Sequence, residues 1–112
     1  MKSIMAGEIS CRDLVAKIAA AESIHLLDVR QPDEHALVAL PASQLIPVHD
    51  LPRRLAEIQP LDGTTVVVYC HHGVRSLMAA NFLLRNGFRN VVSLAGGIDA
   101  WSREVDPAMP RY

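Results

Sequence analysis

An unbroken run of β-branched residues at 64–68 is followed by Tyr69 and Cys70. Its positions do not alternate between apolar and polar, which is typical of a strand covered on both faces at the centre of a parallel sheet. Further segments that contain apolar or β-branched residues, at 7–9, 23–29, 44–46 and 91–94, predict four more strands. The pattern therefore predicts a sheet of five strands.

Helical spacing of apolar residues separates these segments. The predicted helices contain Leu14, Val15, Ile18 and Ala19 on one face, then Leu51, Leu55 and Ile58, then Leu77, Ala80, Phe82, Leu83 and Leu84, and lastly Trp101 in a short final helix. Ser10 with Asp13 predicts the start of the first helix, and Asn86-Gly87 the end of the third. A shorter helical segment begins at 31–35. Strands that alternate with helices predict a single α/β domain, with a mostly parallel sheet flanked by helices on both faces.

The chain of 112 residues is long enough for one domain with its own core, and we expect that domain to span residues 1–112. Residues 105–112 contain two prolines and no periodic pattern. We expect this tail to lie extended along the surface.

Charge excludes several classes of partner. Eleven basic and twelve acidic residues are dispersed along the chain and give a net charge of -1, so neither nucleic acid nor an anionic membrane surface is expected as a partner. The apolar runs are much shorter than the roughly 20 residues of a transmembrane helix, and the N-terminus lacks the apolar core of a signal peptide. A cytoplasmic location is expected, and the sequence does not disclose an oligomeric state.

The two cysteines occupy different environments in this prediction. Cys11 falls in the first turn of a helix and Cys70 at the end of the central strand. Reduced thiols fit this placement better than a disulfide. We interpret Cys11 as a small residue of the core.

Cys70 carries the candidate chemistry. It is followed by a short loop with Gly73 and Arg75 and then by the helical pattern that begins at Leu77. Backbone N–H groups of such a loop, a helix N-terminus and a nearby arginine all favour an anion. Cys70 is therefore expected to be a thiolate, and a nucleophile that needs no separate base.

A second polar group lies at the end of the strand at 23–29. Asp28, Arg30 and Glu34 are placed there, and the carboxyl ends of parallel strands share one edge of a sheet. We therefore expect these residues beside Cys70. Asp28 and Arg30 are interpreted as an ion pair that braces the loop, with Glu34 or a backbone carbonyl as a further partner.

Three segments resemble motifs of the rhodanese family of sulfurtransferases and follow one another in the family's order. They are Cys-His-His-Gly-Val-Arg-Ser at 70–76, Leu-Asp-Val-Arg at 27–30 with Glu34, and Leu-Ala-Gly-Gly-Ile-Asp-Ala-Trp at 94–101. The resemblance implies a rhodanese-like fold and no cofactor. It also implies that Cys70 accepts a sulfane sulfur from a donor such as thiosulfate, holds it as a persulfide and passes it to a thiophilic acceptor. The substrate would be bound by the loop residues His71, His72, Gly73, Val74, Arg75 and Ser76.

Two further segments bear on the resemblance. The family usually has His-Ile-Pro-Gly-Ala where this chain has Leu-Pro-Ala-Ser at 40–43, so the proline and alanine are kept and the histidine and glycine are not. The tail at 105–112 resembles the ending of rhodanese domains fused behind adenylating enzymes that activate sulfur carriers.

Other readings of the loop remain open at this point. Cysteine phosphatases use a similar thiolate and arginine, but they have five residues between the two, whereas four separate Cys70 from Arg75. A sulfur-relay module, loaded by a protein persulfide and serving a carrier protein, fits the same residues. His71 and His72 suggest a metal site only weakly, because adjacent residues diverge and no second ligand pair is present, so no metal is expected. Partly protonated, they would attract an anionic donor.

Overall fold

The five strands form one sheet in which every neighbouring pair is parallel. The computed structural model describes residues 5–112. The strands are β1 (Gly7–Ile9), β2 (Ile24–Asp28), β3 (Gln44–Leu45), β4 (Thr65–Tyr69) and β5 (Val91–Leu94). Their spatial order is β1-β5-β4-β2-β3, so β4 is central. The predicted five-stranded α/β sheet is confirmed, and its described pairings are parallel throughout.

Within residues 5–112, four helices and two 3-10 turns lie between the strands, and a fifth helix follows β5. The helices are α1 (Cys11–Ala19), α2 (Pro32–Leu37), α3 (Leu51–Arg54), α4 (Val74–Arg85) and α5 (Gly97–Glu104), and the 3-10 turns Val48–Asp50 and Leu55–Glu57 flank α3. The helix predicted around Leu51 and Ile58 is therefore one turn of α-helix between two tighter turns. Both of these side chains are nevertheless buried.

Strand β4 divides the core into two halves because successive side chains of a strand point to opposite faces. Val66, Val68 and Cys70 belong to a cluster with residues of α3 and α4. Val67 and Tyr69 belong to a cluster with residues of α1 and α5. Helices therefore cover both faces, which explains why residues 66–69 contain no exposed polar position.

Helix α1 differs from its predicted packing. Ser10 accepts a hydrogen bond from the backbone N–H of Asp13 and caps the helix as expected. Cys11 and Leu14 are buried, whereas Val15 and Ile18 are exposed by 38% and 47%. Helix α1 packs beside α5, and the core covers Cys11 and Leu14 but leaves Val15 and Ile18 exposed.

The segment at 40–43 keeps a tight turn without glycine. Ala42 has a φ angle of +61°, in the left-handed region that favours glycine. Ala42 therefore holds a strained backbone conformation. None of the helices within residues 5–112 has the length and apolar character to cross a bilayer.

Candidate active site

The sulfur of Cys70 lies at the carboxyl end of β4, beneath the loop that follows. The backbone N–H groups of Gly73 and Ser76 point at Sγ from 3.1 and 3.3 Å. The residue is buried, with 1% of its surface exposed. Both contacts are donors, and a donor forms a stronger hydrogen bond with an anionic acceptor than with a neutral one.

The helix after the loop begins three residues earlier than its apolar pattern indicates. Gly73 has a φ angle of +103° and is the N-cap of α4, which starts at Val74 rather than at Leu77. Arg75 and Ser76 therefore lie in the first helical turn. Their N-terminal position directs the positive end of the helix dipole towards Cys70.

Helix α5 holds the loop from behind. The backbone N–H of Ile98 donates to the carbonyl of Cys70 at 2.9 Å, and that of Asp99 donates to the carbonyl of His71 at 3.0 Å. Gly97 makes this contact feasible, because a Cβ atom there would overlap both carbonyl oxygens. The carbonyls of Cys70 and His71 are thus fixed to α5. This sets the direction in which the loop leaves the strand, and the N–H groups that follow face the sulfur.

Arg75 lies in the first turn of α4, and its guanidinium is directed to Glu34. Its two terminal nitrogens lie 2.9 and 3.1 Å from the two carboxylate oxygens of Glu34. This bidentate pair lowers the pKa of Glu34 to about 2 and raises that of Arg75. Glu34 thus fixes Arg75 and offsets its charge, and the groups that face the sulfur are the two backbone N–H groups and the Ser76 hydroxyl.

Asp28 and Arg30 form the predicted ion pair, and both are completely buried. Arg30 donates to both carboxylate oxygens of Asp28, at 2.9 and 2.7 Å, and to the carbonyl of Val38. Hydrogen bonds to Asp28 and Tyr112 raise the pKa of Arg30 against the opposing effect of burial. The pair lies beside β4, since Asp28 and Tyr69 are neighbours in the sheet.

The imidazoles of His71 and His72 lie together at the mouth of the loop, with ring centroids 3.9 Å apart. Burial lowers the pKa of His71, and the neighbouring His72 adds to the effect. His71 is therefore less protonated than a free imidazole, and its attraction for an anionic donor is weaker than its sequence position indicates.

A metal ion could be held by His71, His72 and Asp99, whose ligand atoms lie within 4.8 Å of one another. The carboxylate of Asp99 is already engaged by Arg103 at 3.0 Å and by Arg111 at 3.4 Å. A cation would have to compete with two guanidinium groups there. The absence of a metal stays a prediction.

Tyr112 connects the tail to the loop, a contact that sequence reasoning missed. Its ring stacks on His71, with centroids 3.9 Å apart. Its hydroxyl accepts a hydrogen bond from Arg30 at 2.7 Å and donates one to Glu34 at 2.8 Å. Part of the tail predicted to lie along the surface therefore packs into the polar network of the site. An aromatic residue at the end of a proline-containing segment was the one available signal.

Ser93 is the second residue that the sequence did not assign to the site. It lies in β5, is fully buried, and its hydroxyl oxygen lies 2.8 Å from that of Ser76. Ser76 in turn lies 3.4 Å from the Cys70 sulfur. The signal in the sequence was a single polar residue inside an apolar strand.

A comparison with protein families matches the rhodanese-like domain to residues 11–104 of this chain. A sulfurtransferase of Allochromatium vinosum is 39% identical over 103 residues, which cover 92% of this chain and 94% of that protein. An adenylyltransferase and sulfurtransferase of Ogataea parapolymorpha is 33% identical over 98 residues, but these cover 88% of this chain and 25% of that longer protein.

A solved structure of a rhodanese-related protein has a similar fold. The crystal structure of a rhodanese-related protein from Thermoplasma volcanium superposes with a TM-score of 0.78 at 32% sequence identity. The match covers 88% of this chain and 93% of that protein. Similarity in sequence and in structure thus extends over nearly the same part of the chain.

Proposed function

The chain belongs to the rhodanese-like domain family of sulfurtransferases, and from this premise we propose that it moves a sulfane sulfur by way of a persulfide on Cys70. The observation that carries the proposal is the pair of backbone N–H groups, from Gly73 and Ser76, directed at the Cys70 sulfur. A cradle of this kind stabilises a sulfur anion without a general base.

The proposed reaction has two steps. The thiolate of Cys70 attacks the outer sulfur of thiosulfate, the S–S bond of the donor breaks, and sulfite leaves with the bonding electron pair. The persulfide carries one negative charge, as the thiolate did. A thiophilic acceptor such as cyanide then attacks the terminal sulfur and restores the thiolate. No proton is transferred in either step, so the site needs neither a catalytic acid nor a cofactor.

The residues around the sulfur have distinct proposed roles. The loop amides and the N-terminus of α4 would stabilise the negative charge on sulfur during both steps. Arg75, held by Glu34, would face the anionic donor at the loop mouth, and the buried pair of Asp28 and Arg30 would keep the strand end rigid. Because Cys70 is 1% exposed, the substrate must present a small terminal sulfur that fits beneath the loop.

Thiosulfate and cyanide test the proposal directly. The wild-type protein should form thiocyanate, Cys70→Ser should form none, and Cys11→Ser should retain the activity. Cys11 is a suitable control because it is the other free cysteine of the chain and is buried in the opposite half of the core. Thiocyanate formation by Cys70→Ser would overturn the proposal.

A phosphatase is disfavoured because Glu34 occupies the guanidinium of Arg75, and an aryl phosphate assay should show no turnover.

A sulfur-relay role is the second candidate, and the similarity to the Ogataea adenylyltransferase and sulfurtransferase favours it. In this role a protein persulfide would load Cys70 and a sulfur carrier would receive the sulfur. We would incubate the chain with a cysteine desulfurase and cysteine and measure its intact mass. Gain of one sulfur atom that Cys70→Ser does not show would support relay, particularly if thiosulfate gave slow turnover.

We propose a cytoplasmic location for either role, supported by the two free thiols.

A further inference from the structure

A line of three buried side chains runs from the Cys70 sulfur into the sheet. Sγ lies 3.4 Å from the hydroxyl oxygen of Ser76, which lies 2.8 Å from the hydroxyl oxygen of Ser93. Cys70 is 1% exposed, and both serines are fully buried. Among the side chains of residues 5–112, Ser76 is the one that the Ser93 hydroxyl contacts.

The charge on sulfur decides the direction of both hydrogen bonds. A thiolate has no proton and can only accept, so Ser76 donates to sulfur and its oxygen accepts from Ser93. Two protons then serve two hydrogen bonds. If the sulfur is protonated, three protons compete for the same two contacts, and one buried donor is left without a partner. The line is therefore complete when the sulfur is an anion.

We propose that Ser93 is a positioning residue for the nucleophile: its hydroxyl donates to Ser76 and so holds the Ser76 proton on the sulfur anion. The inference rests on the proposed function, in which this anion attacks the donor. Ser93 does not touch the sulfur and acts through Ser76. Hydrogen bonds in a chain polarise one another, by about 10–30% per bond, so the donation from Ser93 strengthens the bond that Ser76 makes to sulfur.

Charged and titratable groups also surround the loop, and the variants below leave them in place. They are Arg75 of α4, Glu34 of α2, Asp99 of α5, the Asp28 and Arg30 pair at the end of β2, the loop imidazoles of His71 and His72, and Tyr112 of the tail. A change in the ionisation of Cys70 in a serine variant can therefore be assigned to the hydroxyl groups.

The test follows the ionisation of Cys70 through the ultraviolet absorbance of its thiolate, with Cys70→Ser as the baseline. Ser76→Ala should move the midpoint of this titration to higher pH by roughly one unit, the size of one hydrogen bond to a charged group. Ser93→Ala should move it by about 0.3 of a unit, because only the polarising contribution is lost. The double variant should behave like Ser76→Ala alone, because Ser93 acts through Ser76.

Ser102→Ala is the matched control, since Ser102 is 3% exposed and donates to the carbonyl of Asp99 at 2.7 Å without contacting Ser76. It should leave the titration midpoint unchanged. An unchanged midpoint in Ser93→Ala, or additive shifts in the double variant, would overturn the role of Ser93. The titration needs no sulfur transfer, so failure of the thiosulfate assay would count against the proposed function and leave this result readable.

Discussion

The phenol ring of Tyr112 lies flat on the imidazole of His71, with the two ring planes 7° apart. The stack joins the tail to the first residue after the reactive cysteine. The Tyr112 hydroxyl continues into the network of Arg30, Glu34 and Arg75. The tail is therefore part of the structure that holds the loop, and its contribution can be measured.

Tyr112→Phe keeps the ring and removes the hydroxyl. We expect it to lower the free energy of unfolding by about 1–3 kcal/mol, because a donor on the buried Arg30 loses its acceptor. Tyr112→Ala should cost more, since the stack on His71 is lost as well. Urea denaturation of both variants measures the difference. Equal costs would show that the ring contributes nothing.

Glu34 makes stability depend on pH in the acid range. Its pKa of about 2 lies below the ordinary value of 4.5, so the unfolded chain binds more protons between these values. Stability should therefore be complete above pH 4.5 and fall as the pH drops towards 2, by on the order of 3 kcal/mol at most. Glu34→Gln should remove this part of the dependence, and denaturation curves measured across the range test it. Glu22→Gln, which changes an exposed carboxylate, should keep the wild-type slope.

Asp28→Asn removes the charge that balances Arg30 and changes the side-chain shape little. A buried cation without its partner typically costs about 3–5 kcal/mol, and we expect the midpoint of thermal unfolding to fall accordingly. The same change at Asp50, which pairs with the exposed Arg53, should leave the midpoint nearly unchanged. Similar midpoints for the two variants would contradict the burial argument.

Gly97→Ala should displace the loop from α5, because the added carbon overlaps the carbonyl oxygens of Cys70 and His71. We expect sulfur transfer to fall about tenfold or more, since small misplacements of reacting groups have effects of this size. Gly63→Ala introduces a side chain at a comparable φ of +81° with no atom within 4 Å. Gly63→Ala should lose some stability and keep its sulfur-transfer activity. The ratio of the activities of the two variants therefore separates the effect of the overlap at Gly97 from the effect of backbone strain.

Ala42→Gly should stabilise the protein, because Ala42 has a φ of +61°. Relief of the left-handed strain is worth roughly 1–2 kcal/mol, and greater freedom of the unfolded chain offsets about half of it. A rise of a few degrees in Tm would confirm the strain. Ala36→Gly, within α2, should instead lower Tm by a similar amount. Destabilisation by both changes would argue against strain at Ala42.

Strands β4 and β5 could be predicted from the sequence because each one is a segment dominated by valine. The prediction at 91–94 matches β5, and the one at 64–69 is one residue longer than β4. Cys70 and Gly73 are close in sequence, so the local pattern placed them together at the end of that strand. The start of α4 was missed because Arg75 and Ser76 are polar and Gly73 caps the helix without a side chain.

The individual side-chain partners in distant segments could not be predicted. The guanidinium of Arg75 reaches Glu34 across the sheet edge, and Tyr112 reaches both Glu34 and His71. These choices of partner depend on how the helices and tail lie in space, which a local pattern does not specify. The exposed Val15 and Ile18 of α1 have the same cause, since periodicity identifies an apolar face but not how much of it a neighbour covers.

The two hydrogen bonds from α5 to the carbonyls of Cys70 and His71 have a practical consequence. Each uses a main-chain proton, of Ile98 or of Asp99, that stays protected from deuterium only while the loop keeps its place. The isotope-exchange rates of these two protons therefore report when the reactive segment lifts away from the helix, in the unlabelled wild-type protein and without modifying its sulfur.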